Sequence, residues 1–230
     1  MKWATDRLDS QRLMVGTGTP SLQETIELTL LADELGYPIA LVLPPYYYKP
    51  LGDAELTSWF EAIDKALSGR SIEVYFYNFP QMTGLTIPVS VIEALTTQYP
   101  NRYTGIKDSS GDLGYCRDIL SRCPGLNVFP SSETSLDEAH RAGFSGCISA
   151  TVNITSQQCA EVWKVRKKPP ADMLFRIASQ RNSIASAGLI PAIKFLVSHR
   201  THQEIWNNLM PPFLPLTEIA GQKLLSDIQI

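Results

Sequence analysis

A regular alternation of short apolar runs with stretches of helical period constrains this 230-residue chain more than any other feature. Pro38–Leu43 is an uninterrupted apolar run, the mark of a strand buried on both faces of a sheet. Leu13–Val15, Ile72–Tyr77, Tyr103–Ile106, Leu126–Phe129 and Gly146–Ser149 read as five more strands, each bounded by turn residues. Helical patterns lie between them. The clearest is Asp53–Leu67, where Leu56, Trp59, Phe60, Ile63 and Leu67 form one stripe and Gly69 marks the stop. Ser21-Leu-Gln-Glu24 has capping-box spacing and opens a helix to Leu35, with Gly36 just past its end. Further helices are expected from Pro88 to Gln98, and over Leu113–Leu120, Leu136–Ala142 and Gln157–Lys167. The tail reads as helical over Ala171–Ala185, Pro191–His199 and Leu216–Ile228. Strand–helix alternation of this kind implies an α/β fold with a parallel sheet, either doubly wound or a (β/α) barrel. Both place their sites where strands end.

Composition narrows the function classes. A formal charge of −3 and the absence of any basic run beyond Lys164-Val-Arg-Lys-Lys168 argue against a nucleic-acid surface. Cys116, Cys123, Cys147 and Cys159 include no C-x-x-C pair, so they read as reduced and mostly buried. No apolar leader or membrane-length stretch is evident, and a cytoplasmic location is expected. Gly16-Thr-Gly-Thr19 lacks the third glycine of a dinucleotide fingerprint and the Gly-Lys-Ser/Thr of a phosphate loop. His140, His199 and His202 are too scattered for a metal cluster or a triad.

Lys107 is the residue that strains this bland reading. It falls at or just beyond the end of the Tyr103–Ile106 strand, ahead of the turn residues Asp108-Ser-Ser-Gly-Asp112. A buried ammonium must be paired or lose its charge, and a free amine attacks carbonyl carbon. An ion pair with Asp108 or Asp112 is the alternative. Tyr77 ends the preceding strand, so phenol and amine can approach each other in either architecture. An amine forms an imine with a 2-oxo acid, the protonated imine draws electrons, and a phenol relays protons to and from a neighbouring hydroxyl. Tyr46, Tyr47 and Tyr48 form the densest aromatic cluster, and at least one should project into a site or towards a partner.

Four motifs then occur in order: Gly16-Thr-Gly, Pro45-Tyr-Tyr47 with Lys49-Pro50, Tyr77-Asn-Phe-Pro with Thr83-Gly84, and Gly105-Ile-Lys-Asp-Ser-Ser-Gly-Asp112. Together they make the chain resemble, over nearly its whole length, the dihydrodipicolinate synthase/N-acetylneuraminate lyase family of Schiff-base aldolases. The resemblance implies a (β/α)8 TIM-type barrel, with a barrel part over 1–170 and a helical extension over 171–230. It implies Lys107 as the imine-forming lysine, Tyr77 as the proton-relaying tyrosine and Tyr47 as a residue shared with a neighbouring subunit. Thr83, Gly84, Ser109, Ser131, Ser132, Glu133 and Ile148 match substrate-contacting positions. No metal or organic cofactor is implied, the partner is a small 2-oxo acid, and a homo-oligomer (dimer or tetramer) is expected.

Two departures from the family pattern stand out. The position at which the synthase carries a carboxylate-holding arginine is Met82, which favours members that cleave 2-keto-3-deoxy sugar acids over dihydrodipicolinate synthesis. The six strands correspond to the last six of eight, so the first two, with the loop that binds the pyruvate carboxylate, are expected to be missing. The alternative function is a catalytically impaired relative, or a truncated gene product, retaining a binding or oligomer role.

Overall fold

A computed structural model describes residues 1–228. The chain divides into two compact units, the first ending at Pro130 and the second starting at Ser131, whereas the resemblance places the division after residue 170.

The first unit holds a five-stranded parallel sheet in the order β1-β2-β3-β4-β5. Its strands are β1 (Met14–Gly16), β2 (Ile39–Val42), β3 (Glu73–Asn78), β4 (Tyr103–Asp108) and β5 (Asn127–Pro130). Consecutive order has no reversal point, so the doubly wound alternative is excluded for this sheet and barrel-type winding remains. Helices follow the strands: α2 (Leu22–Glu34), α3 (Asp53–Ala66), α5 (Val89–Gln98) and α6 (Leu113–Arg122), with short α1 (Lys2–Thr5) and α4 (Pro80–Thr83). The Ser21 hydroxyl caps α2 by accepting from the Glu24 amide at 3.3 Å.

The helix-facing side of the sheet is apolar except at the C-terminal ends of β3 and β4. Val74, Phe76, Ile106 and Val128 are wholly buried there. Phe60 of α3 meets Phe76 edge-on at 4.9 Å, and Tyr103 stacks on Phe76 at the same centroid distance. Pairing is irregular at one place: Val74 lies opposite Tyr103, but Tyr75 lies opposite Gly105, so β4 carries an extra residue at Thr104. Side chains alternate along a strand, so without this slip Tyr103 and Lys107 would share a face. With it, Tyr103 enters the helix-side core while Gly105 and Lys107 point to the other side.

The second unit is helical, with α7 (Ala139–Ala142), α8 (Val152–Lys164), α9 (Ala171–Ser186), α10 (Leu189–Thr201) and α11 (Glu218–Ile228), and a 3-10 turn at Glu133–Asp137. Ile184, Ala192, Ile193, Leu196, Leu224 and Ile228 form one core cluster, and Leu136, Cys159, Val162 and Ile177 another.

The expectation of six strands is corrected to five among the described residues. Gly146–Ser149 is not a strand: Gly146 adopts φ +142°, outside the extended region. The Ser149 hydroxyl is drawn into a hydrogen-bond network described below. Helix α8 also starts five residues earlier than its pattern suggests, because Val152, Ile154 and Thr155 are β-prone by type and helical by context. All four cysteines are free. Burial pushes each thiol upward, Cys147 to about 12, so none is poised as a thiolate.

Candidate active site

The end of the sheet at β3 and β4 brings together the two residues that chemistry singled out. Tyr77 and Lys107 are direct register partners, both half-buried. The Lys107 Nζ donates to the Tyr77 hydroxyl at 2.8 Å and lies 4.0 Å from the ring centroid. Lys107 lies within β4, not beyond it, and faces Phe129 on its other flank. The expected alternative, an ion pair with Asp108 or Asp112, does not form: among the described residues Lys107 has no carboxylate within 4.0 Å. Gly105 makes room on this face. The ring of Tyr75 sits where a Cβ at that position would be, 2.5 Å away, and stacks on Phe129 with 6.1 Å between centroids.

One residue further along each strand lies a second pair, which sequence reasoning missed. Asn78 is fully buried and Asp108 is 1% exposed. The Asn78 Nδ2 donates to Asp108 Oδ1 at 2.7 Å, and Asn78 Oδ1 accepts from the Ile87 amide at 3.0 Å. Asp108 Oδ2 accepts from the Ser110 amide at 3.2 Å and its hydroxyl at 2.7 Å. The nearby Cys116 thiol is raised first by burial and then by the Asp108 carboxylate. The only sequence signal for this pair is that each residue directly follows a candidate catalytic residue.

The loops around this edge are built on backbone contacts. Thr83 is buried and its hydroxyl donates to the carbonyls of Phe79 and Leu85 at 3.0 Å each. Its own carbonyl accepts from Lys49 Nζ at 2.8 Å. Gly84 has φ +66°, which favours glycine, and Lys49 Nζ lies 2.5 Å from where its Cβ would be, so a side chain here would also displace the lysine tip. The amide of Ser109 donates to the Asn78 carbonyl at 2.7 Å. Tyr47 is not brought to the pair: it is 75% exposed, its ring packs edge-on to Tyr48 at 5.2 Å, and it makes no hydrogen bond to Tyr77 or Lys107 among the described residues. Met82 is also exposed, at 73%.

The remaining candidates lie in the second unit. Ser131 and Ile148 are half-buried, and Ser132 caps the 3-10 turn by accepting from the Thr134 amide at 3.2 Å. Glu133 is fully buried and both of its oxygens are occupied. Oε1 accepts from the hydroxyls of Thr151 and Thr155, and Oε2 from Ser149 and from Arg181 Nη1, each at 2.7 Å. Burial works to raise the Glu133 carboxyl, but hydrogen bonds from Thr151, Ser149, its own backbone and Thr155 outweigh it and hold it below the usual range. Arg181, which no motif marked, is the counter-ion. No cluster of metal-ligating side chains occurs among the described residues.

A lyase of Chloroflexus aurantiacus described as uncharacterized and DapA-like is 27% identical over 219 residues, covering 91% of this chain and 71% of its own. A 4-hydroxy-tetrahydrodipicolinate synthase of Hydrogenobaculum is 31% identical over 149 residues, covering 65% of this chain and half of its own. The chain thus spans between half and three-quarters of these relatives. The crystal structure of dihydrodipicolinate synthase from Agrobacterium tumefaciens superposes with a TM-score of 0.85 at 25% identity, covering 97% of this chain and 76% of the other. A prophage protein of the dihydrodipicolinic acid synthase family from Escherichia coli, solved with pyruvate, gives 0.83 at 25% identity over 99% and 79%. The Sulfolobus solfataricus 2-keto-3-deoxygluconate aldolase shares the fold, with a TM-score of 0.80 at 19% identity. The family model for the dihydrodipicolinate synthetase family matches residues 4–230, and the chain belongs to that family.

Proposed function

We propose that this protein is a lyase of the Schiff-base aldolase type that reversibly cleaves a 2-keto-3-deoxy sugar acid or a related 4-hydroxy-2-oxo acid. The observation that carries the reading is the 2.8 Å contact between the Lys107 amine and the Tyr77 hydroxyl, on register partners of adjacent strands. The Lys107 amine adds to the C2 carbonyl and water leaves, giving a protonated imine. Tyr77 relays the C4 hydroxyl proton, accepting it while its own phenolic proton passes to water, as the C3–C4 bond breaks. The bond pair passes into the imine as an enamine, and an aldehyde departs. Protonation at C3 and addition of water then return pyruvate and the free amine. All the covalent chemistry lies on Lys107.

Relatives that carry lyase, aldolase and synthase names support the reaction class. Met82 favours sugar-acid cleavage over dihydrodipicolinate synthesis, since an exposed thioether does not hold a second carboxylate. Borohydride reduction in the presence of pyruvate, followed by peptide mass spectrometry, tests the reading directly. The expected result is a reduced pyruvyl adduct on Lys107 that disappears in Lys107→Met. An unmodified Lys107 under these conditions sinks the proposal.

A further inference from the structure

Asn78 and Asp108 lie one residue beyond Tyr77 and Lys107, on the opposite face of the same two strands. Their burial leaves Asp108 as a carboxylate removed from water, without an ion pair among the described residues. Its donors, Asn78 Nδ2, the Ser110 amide and hydroxyl, and the weaker Cys116 thiol, offset that cost only where they now stand. The Asn78 side chain is equally committed, donating to Asp108 and accepting from Ile87. The Ser109 amide continues the pairing past the last strand residue by donating to the Asn78 carbonyl.

Apolar residues at these positions would avoid burying a carboxylate, but would leave the Ile87 amide and the Ser110 donors without their acceptor. What the polar pair adds is register. A one-residue slip of β4 against β3 would place Asp108 opposite Tyr77 and leave two buried polar side chains unmatched. The same slip would part Lys107 from Tyr77. This protection is needed because the pairing already shifts once between Val74 and Tyr75. We infer that Asn78 and Asp108 are a positioning pair, whose mutual hydrogen bond holds β3 and β4 in the single register that sets the Lys107 amine against the Tyr77 hydroxyl. Its bearing on catalysis rests on the imine reading of Lys107; the geometric claim does not.

Three variants test it: Asn78→Asp, which sets two carboxylates face to face, Asp108→Asn, and the double exchange. In the exchange the donor and acceptor trade places, so the cross-strand bond re-forms in reverse. The first readout is the NMR signal of the Tyr77 ring carbons in protein carrying 13C-labelled tyrosine. That signal is assigned by its loss in Tyr77→Phe, and its position in Lys107→Met marks the broken contact. The second readout is the rate of pyruvate–borohydride trapping at Lys107.

In Asn78→Asp the Tyr77 signal should move towards its Lys107→Met position and trapping should slow tenfold or more. Asp108→Asn should act in the same direction, and the exchange should restore both readouts to within about twofold of wild type. An undisplaced Tyr77 signal in both single variants overturns the inference, as does a folded exchange variant in which the signal stays displaced. If the position-78 variants do not fold, Asp108→Ala, which leaves Asn78 Nδ2 without an acceptor, decides by the same signal. Wild-type protein that is never trapped defeats the imine reading, while the Tyr77 signal still judges the positioning pair.

Discussion

At the scale of single residues, the Lys107–Tyr77 contact divides the chemistry into two separable parts. The amine is needed for the imine, whereas the hydroxyl is needed only when a proton moves. Tyr77→Phe keeps the ring beside Lys107 and removes only the oxygen to which the amine donates. Pyruvate should therefore still be trapped on Lys107 in this variant, while cleavage of a 2-keto-3-deoxy sugar acid falls by about 10²–10⁴-fold, the range of a lost general acid–base. Trapping and steady-state cleavage measured on one preparation separate the two parts, and undiminished cleavage would remove Tyr77 from the relay. Both residues were legible in the sequence because a phenol and an amine each ended an apolar run, where side-chain type alone raises a question. Asn78 and Asp108 were not, since a pattern read along one strand does not show which polar residue faces which across two.

The elements carry a second constraint, in the way β4 is built. Gly105 lies on the same face as Lys107, against the ring of Tyr75, and that ring is itself confined by Phe129. Gly105→Ala would put a methyl group 2.5 Å from the Tyr75 ring, so ring or strand must shift. Overpacking of this kind costs about 1–3 kcal/mol. For a chain of this size that lowers Tm by about 2–12 °C. Gly125→Ala, where the added methyl meets nothing within 4 Å, should leave Tm nearly unchanged and serves as the control. Thermal unfolding followed by circular dichroism distinguishes them, and equal Tm values would show that β4 yields freely at this point. The periodicities located the strands but stopped β3 and β4 short of their C-terminal ends, because Asn78, Lys107 and Asp108 look like turn residues until their partners are known. The opposite error occurred at Gly146–Ser149, an apolar-looking run whose glycine torsion and committed serine keep it out of any strand.

For the whole molecule, alternation left the winding order of the sheet open, and consecutive parallel pairing decides it. No described helix is long and apolar enough to cross a membrane. The second unit depends on a feature that no local pattern announces: Glu133, the 149–155 stretch with Ser149, Thr151 and Thr155, and Arg181 come from three separate segments and meet in one buried network. That network gives the unit a pH dependence of definite sign. The Glu133 carboxyl is held below its ordinary range in the folded chain, so the unfolded chain binds the proton more readily. The stabilisation is therefore complete above the unfolded value of about 4.3 and is lost as pH falls through the folded one. Glu133→Gln keeps the shape, removes the charge and leaves Arg181 without its counter-ion. Breaking a buried pair costs about 3–5 kcal/mol, and the lower end applies because the Arg181 side chain is 26% exposed. Amide exchange of peptides from 131–228, followed by mass spectrometry, should show faster opening at pH 7 in Glu133→Gln and a flatter loss of protection below about pH 4.3 than in the wild type. Wild-type acid sensitivity surviving in Glu133→Gln would assign the pH dependence of this unit to other carboxylates and leave Glu133 only a neutral packing role.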